Sequence, residues 1–114
     1  MKHFTLDKTQ FTLGTSAEDN WAAIRLVGKG QQGKDAFWVH MEGRPSAHAI
    51  IHLDVEPTQE ELQFAASLIR EQTKSAPPSL PLRYVWSPVA NLRLGSKAGE
   101  VIIKSEKLAR HFNY

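Results

Sequence analysis

The chain contains no cysteine. That absence excludes a disulfide framework and thiolate metal sites, and it fits a reducing compartment. Long apolar runs are missing as well: nothing approaches the roughly 18 consecutive apolar residues of a membrane span. The opening MKHFTLDKTQF lacks the apolar core of a signal peptide, so the expected location is the cytoplasm, with no membrane partner. A strong charge of one sign is also absent, the formal net charge being only +2. The glycine-rich stretch Gly28-Lys29-Gly30-Gln31-Gln32-Gly33 is not followed by the Gly-Lys-Ser/Thr of a phosphate-binding loop, so it is read as a turn. No G-x-S-x-G nucleophile elbow occurs.

What is present describes a folded domain. Hydrophobic residues make up 41% and charged residues 23% of the 114 positions, an ordinary globular composition. A chain of this size is most simply one domain, spanning 1–114, and it buries about two-thirds of the surface that its unfolded form exposes. Its small net charge is unevenly placed. Residues 1–56 carry 6 basic and 7 acidic side chains, whereas residues 57–114 carry 8 and 5. A basic second half of this kind can hold polyanions.

Periodicity gives the elements. Phe4 to Gly14 reads as a strand pair turning at Asp7-Lys8. Ser16 caps a short helix that runs through Ala22, Ala23 and Leu26, with acids in its first turn. Phe37 to Glu42 alternates as a strand, with Phe37, Val39 and Met41 on one face and Trp38, His40 and Glu42 on the other. Gly43-Arg44-Pro45 turns the chain into a second strand, Ala47 to Asp54. There Ala47, Ala49, Ile51 and Leu53 oppose His48, Ile50 and His52. Thr58-Gln59-Glu60-Glu61 is a capping box, and it starts the main helix, about residues 58–74, whose buried stripe is Leu62, Ala65, Ala66 and Ile69. The proline-rich segment 75–81 forms a loop that no helix can cross. Leu82 to Ser87 is a strand, Val89 to Leu94 continues extended, and Gly95 to Gly99 turns into a strand over Glu100 to Lys104. Lys107 to Phe112 is expected as a short terminal helix. The result is an α+β fold: a mostly antiparallel or mixed sheet covered on one side by the main helix, with short helices besides.

Chemistry concentrates at the strand–turn–strand junction, which holds Trp38, His40, Arg44, Ser46 and His48. A junction of this kind lets a rigid scaffold hold side chains toward a partner. The three histidines nearby make a poor metal set. His48 and His52 are four residues apart on a strand, hence roughly 13 Å apart, and no third ligand is evident. Ser46 lies near His48 in sequence, but triads are defined by geometry rather than by proximity along the chain. Arg, aromatic and small polar groups together suit unpaired bases, phosphates and the 2′-hydroxyl. Arg83, Arg93, Lys97 and Lys104 extend a path for phosphates.

Four ordered blocks resemble the NFACT-R domain family. Phe11-Thr12-Leu13-Gly14 followed by Glu18-Asp19-Asn20 is similar to that family's opening. Phe37-Trp38-Val39-His40 with Pro45-Ser46-Ala47-His48-Ala49-Ile50 resembles its W-x-H…P-G-S-H core, although Ala47 is inserted between Ser46 and His48 and the glycine is missing. Glu61 to Ser75, with Ala65-Ala66, resembles its helix. Tyr84 to Leu92 with Gly99-Glu100-Val101 resembles its closing segment and is nearest the branch of coiled-coil domain-containing protein 25. The resemblance covers nearly the whole chain. It implies a stand-alone module without catalysis or cofactor. The implied partner is RNA (tRNA or rRNA), with DNA as a second candidate and the ribosome or a larger complex as the setting. Trp38, His40, Arg44, Ser46 and His48 are expected to form the recognition turn, and Asn91, Arg93 and Lys97 the phosphate-contacting flank. Two rival readings are a protein-interaction module that docks on such a complex, and a small-molecule enzyme using His40 and His48.

Overall fold

A computed structural model of the chain describes residues 1–29, 36–73 and 81–114. Most of the glycine-rich stretch and nearly all of the proline-rich loop lie outside the described residues. Six strands form one sheet: β1 (Lys2–Leu6), β2 (Thr9–Gly14), β3 (Phe37–Met41), β4 (His48–His52), β5 (Arg83–Pro88) and, at the C-terminus, β8 (Arg110–Asn113). Their spatial order is β1-β2-β4-β3-β5-β8, and every pairing is antiparallel. A separate hairpin is built from β6 (Leu92–Leu94) and β7 (Val101–Ile103). The helices are α1 (Ala17–Lys29) and α2 (Gln59–Gln72). The α+β expectation holds, and no helix among the described residues is long and apolar enough to cross a membrane.

Alternation along the strands divides the side chains between two cores. Phe11, Leu13, Phe37, Val39, Met41, Ala49, Ile51, Tyr84 and Trp86 meet α2, which buries Leu62, Ala65, Ala66, Leu68 and Ile69. The capping box that sequence places at the start of α2 forms: Glu61 N–H donates to Thr58 Oγ1 at 3.2 Å, and Thr58 N–H donates to Glu61 Oε1 at 2.8 Å. Thr9 Oγ1 also donates to Glu61 Oε2 at 2.6 Å, which ties the helix start to β2.

The other face is covered too, by α1 and the β6–β7 hairpin. Ala23, Ile24, Trp38, Ile50, Val85, Val89 and Leu92 form this second core. The helix here is longer than the short one expected from sequence, with 13 residues against 14 in α2. Ser16 caps it as anticipated, its Oγ accepting from Asp19 N–H at 3.1 Å.

Two elements differ from expectation. Val89–Asn91 tightens into a 3₁₀ turn before β6, because the Asn91 side chain bonds across to Ser105 and draws the chain inward. Lys107 to Phe112 is not a helix. Glu106–Leu108 makes a single 3₁₀ turn, and Arg110–Asn113 then adds β8 to the sheet edge, where Phe112 stacks on Tyr84 at 5.1 Å. An open edge of β5 offered unpaired backbone groups, and satisfying them outweighed local helix propensity.

Close approach of α1 to the sheet depends on Gly14. A Cβ at that position would overlap the Asn20 side-chain oxygen and come within 2.8 Å of the Asn20 Cα. Gly14→Ala is therefore expected to destabilise the fold by about 1–3 kcal/mol through overpacking. Asn20→Ala should cost a similar amount, about 1–3 kcal/mol, by orphaning the buried backbone N–H that Asn20 receives from β4. Chemical denaturation of both variants measures these losses. An unchanged midpoint for either would contradict the packing.

Candidate binding cleft

Antiparallel register sets His40 of β3 directly opposite His48 of β4, and both side chains face the α1 side of the sheet. Their rings meet edge to face with centroids 4.4 Å apart. Trp38, two residues before His40, lies parallel to the His40 ring at 5.5 Å and donates from Nε1 to His48 Nδ1 at 3.1 Å. The His48 backbone N–H donates in turn to Asn20 Oδ1 at 3.1 Å. Helix α1, the indole and the two imidazoles are thus one connected unit.

The Trp38 bond fixes the chemistry of His48. An indole N–H can only donate, so His48 Nδ1 must accept, and the neutral ring carries its proton on Nε2. Burial reinforces neutrality. Desolvation pushes His48 down to about 3, and the adjoining His40 adds to this. Desolvation also lowers His40 to about 4, against a weaker opposing pull from Glu42. Neither ring nitrogen of His40, nor Nε2 of His48, bonds to another described residue. A neutral imidazole offers one donor and one acceptor, so these rings keep hydrogen-bonding capacity in reserve.

That capacity borders an open cleft of about 810 Å³. Its floor is the β3–β4 junction, where Trp38, His40, Arg44, Ser46 and His48 all contribute to the lining. One wall is the start of α1, around Thr15, Ser16 and Asn20; the other is the hairpin turn Ala98–Val101. The walls are fastened together. Trp21 Nε1 donates to the Glu100 carbonyl at 2.8 Å. Gly99 has φ +85°, and a Cβ there would sit 2.9 Å from the Ala17 Cβ, so the turn reaches α1 only as glycine.

The eight residues selected from sequence separate into two groups. Five line the cleft, although Trp38 is only 3% exposed and serves as a support for the imidazoles rather than as a platform for stacking bases. The other three lie outside it. Asn91 is buried: its Nδ2 donates to Ser87 Oγ at 3.0 Å and to the Ser105 carbonyl at 2.9 Å, and its Oδ1 accepts from Ser105 N–H at 3.0 Å. It locks the hairpin base and has no free group for a phosphate, which corrects the expected role. Arg93 and Lys97 are exposed on the hairpin, outside the cleft. Arg83 pairs with Glu42 at 2.7 Å, so its charge is already matched. Sequence reasoning gave no role to Asn20 or to the Glu100 turn, although both lie within blocks that carry the family resemblance.

Ser46 Oγ donates to the Ala47 carbonyl at 3.0 Å, which turns its proton away from the imidazoles. Among the described residues, no cluster of three His, Cys, Asp or Glu side chains is placed to hold a metal ion.

No family model matches the chain, and no curated protein matches it. Among solved structures it is similar to the C-terminal of the fibronectin/fibrinogen-binding protein from Streptococcus suis, with a TM-score of 0.78 at 20% identity. The likeness covers 97% of this chain and 43% of that one, so this chain spans less than half of its structural neighbour. At that identity the likeness establishes the fold.

The depressed histidines make stability depend on pH. Below the ordinary histidine pKa of about 6.5, the unfolded chain takes up protons at His40 and His48 that the folded chain refuses. Stability is therefore fully present above that pH and falls as pH drops toward about 4 and about 3, the folded values. The expected loss is about 1.4 kcal/mol per pH unit for each group. Denaturation midpoints measured across this range should show the slope, and His48→Gln should flatten it by about one proton. A wild-type slope in that variant would contradict the assignment.

Proposed function

We propose that this chain is a nucleic-acid-binding module of the NFACT-R type that acts in the cytoplasm, with RNA as its ligand and without catalysis of its own. The observation that carries the reading is the convergence of His40, Arg44, Ser46 and His48 on one open cleft. The two imidazoles there keep donors and acceptors that no other described residue engages. A cleft of about 810 Å³ lies within the range of about 300–1,000 Å³ typical of sites for small molecules or single groups of a larger ligand. Cations flank it: Arg44 contributes to its lining, and Arg93, Lys97 and Lys104 are exposed on or beside the hairpin. Such flanking charges supply the sequence-independent part of nucleic-acid affinity. The ordered blocks that resemble NFACT-R point to the same ligand class, and to tRNA or rRNA in a ribosome-quality-control setting.

A second reading is a protein-docking module. It is favoured by the structural neighbour, which is described as fibronectin/fibrinogen-binding. Binding that ignores salt and competitor RNA would be its mark.

The deciding experiment is a salt titration of binding to tRNA, single-stranded RNA and duplex DNA. The nucleic-acid reading expects a log–log slope of several units, reduced by about one unit in Lys97→Ala, with affinity also lost in Arg44→Ala. Absence of binding at low salt would reject it in favour of a protein partner.

A further inference from the structure

The cleft concentrates neutral hydrogen-bonding groups, while three cations lie outside it on or beside the hairpin. Its lining carries the neutral groups His40, His48, Asn20, Ser46 and Thr15, with one cation, Arg44, at the β3–β4 connection. Glu100 borders it too, its carboxylate accepting from Ser96 N–H at 2.9 Å within the hairpin turn. The cations of the hairpin region are displayed outward. Arg93 sits on β6 facing solvent, Lys97 is exposed in the turn, and Lys104 is exposed just beyond β7.

We infer that the cleft admits the base of an unpaired nucleotide, while the sugar–phosphate backbone runs outside along the β6–β7 hairpin. This rests on the nucleic-acid reading above. A base edge presents neutral donors and acceptors, the complement of two imidazoles with unengaged ring nitrogens. A paired base has committed that edge to its partner and is held in the stack, so duplex cannot fill the cleft without flipping a nucleotide out. Trp38 has the supporting role: it covers one face of His40 and fixes the proton of His48 on Nε2, so His48 presents a preset donor.

The two walls also set how the ligand is gripped. Base contacts inside the cleft supply preference for unpaired over paired strands, and hairpin cations supply salt-dependent affinity. The two contributions are separable by mutation because they reside on different residues.

The experiment compares three fluorescent probes at one salt concentration: a short single-stranded RNA, the same strand in a duplex, and the same strand carrying abasic sites. The abasic strand keeps its phosphates and loses the bases. Base entry predicts that the intact single strand binds about tenfold tighter than either alternative, a difference of about 1.4 kcal/mol. Ala98→Trp, at an exposed position of the hairpin wall, should abolish that preference while leaving the salt slope unchanged. Equal binding of intact and abasic strands overturns the inference and leaves the nucleic-acid reading standing. Persistence of the preference in a folded Ala98→Trp also overturns it, because the bases would then be read elsewhere. Failure of every probe to bind at low salt overturns both.

Discussion

The hydrogen bond from Trp38 Nε1 to His48 Nδ1, 3.1 Å long, is the constraint on which the second face of this sheet depends. It spans two adjacent strands within a nearly dry layer, where an unmet indole N–H costs about 1–3 kcal/mol. By accepting that proton, His48 cannot also be charged at Nδ1, and burial removes the remaining incentive to ionise. The same residue turns its backbone N–H to Asn20, which brings the start of α1 down onto Gly14. Helix position, imidazole tautomer and cleft depth are thus consequences of one arrangement. Few of these residues tolerate independent change.

The two faces of the sheet do different work. The α2 face is an apolar core, closed by Leu62, Ala65, Ala66 and Ile69 and by a capping box with two reciprocal bonds. It supplies stability through this apolar packing. The α1 face mixes Trp38, Ile50 and Val85 with histidine, asparagine and serine. Its cover is incomplete at one end, where α1 begins and the hairpin turns. The cleft lies at that incomplete end, supported by a sheet that the other face holds rigid.

Much of this was legible in the sequence. Period-two alternation in β3 and β4 assigned the faces correctly, and Thr58 with Glu61 announced α2. The chemistry-bearing stretch from Trp38 to His48 was visible as a polar concentration between apolar runs, and five of its residues do meet at one cleft. What escaped were contacts between segments distant in the chain. Asn20 reaching His48, and Trp21 reaching the Glu100 carbonyl, join residues 28 and 79 positions apart, and no local pattern encodes them. Asn91 is expected from sequence in an extended stretch, as part of a phosphate-contacting flank, yet its side chain bridges the 3₁₀ turn to Ser105. The C-terminal strand was mistaken for a helix because Lys107 to Phe112 has no alternation of its own. Its conformation is set by the open edge of β5.

The central claim is that His40 and His48 form a neutral pair, His48 with its proton fixed on Nε2, that meets the ligand. Imidazole nitrogen NMR at neutral pH, recorded with and without a short single-stranded RNA, tests it most directly. The account predicts an unprotonated Nδ1 and a protonated Nε2 on His48 in the free protein, with His40 and the His48 Nε2 resonance moving as RNA is added. A His48 protonated at Nδ1, or histidine signals that stay fixed while saturating RNA shifts resonances elsewhere, would contradict it.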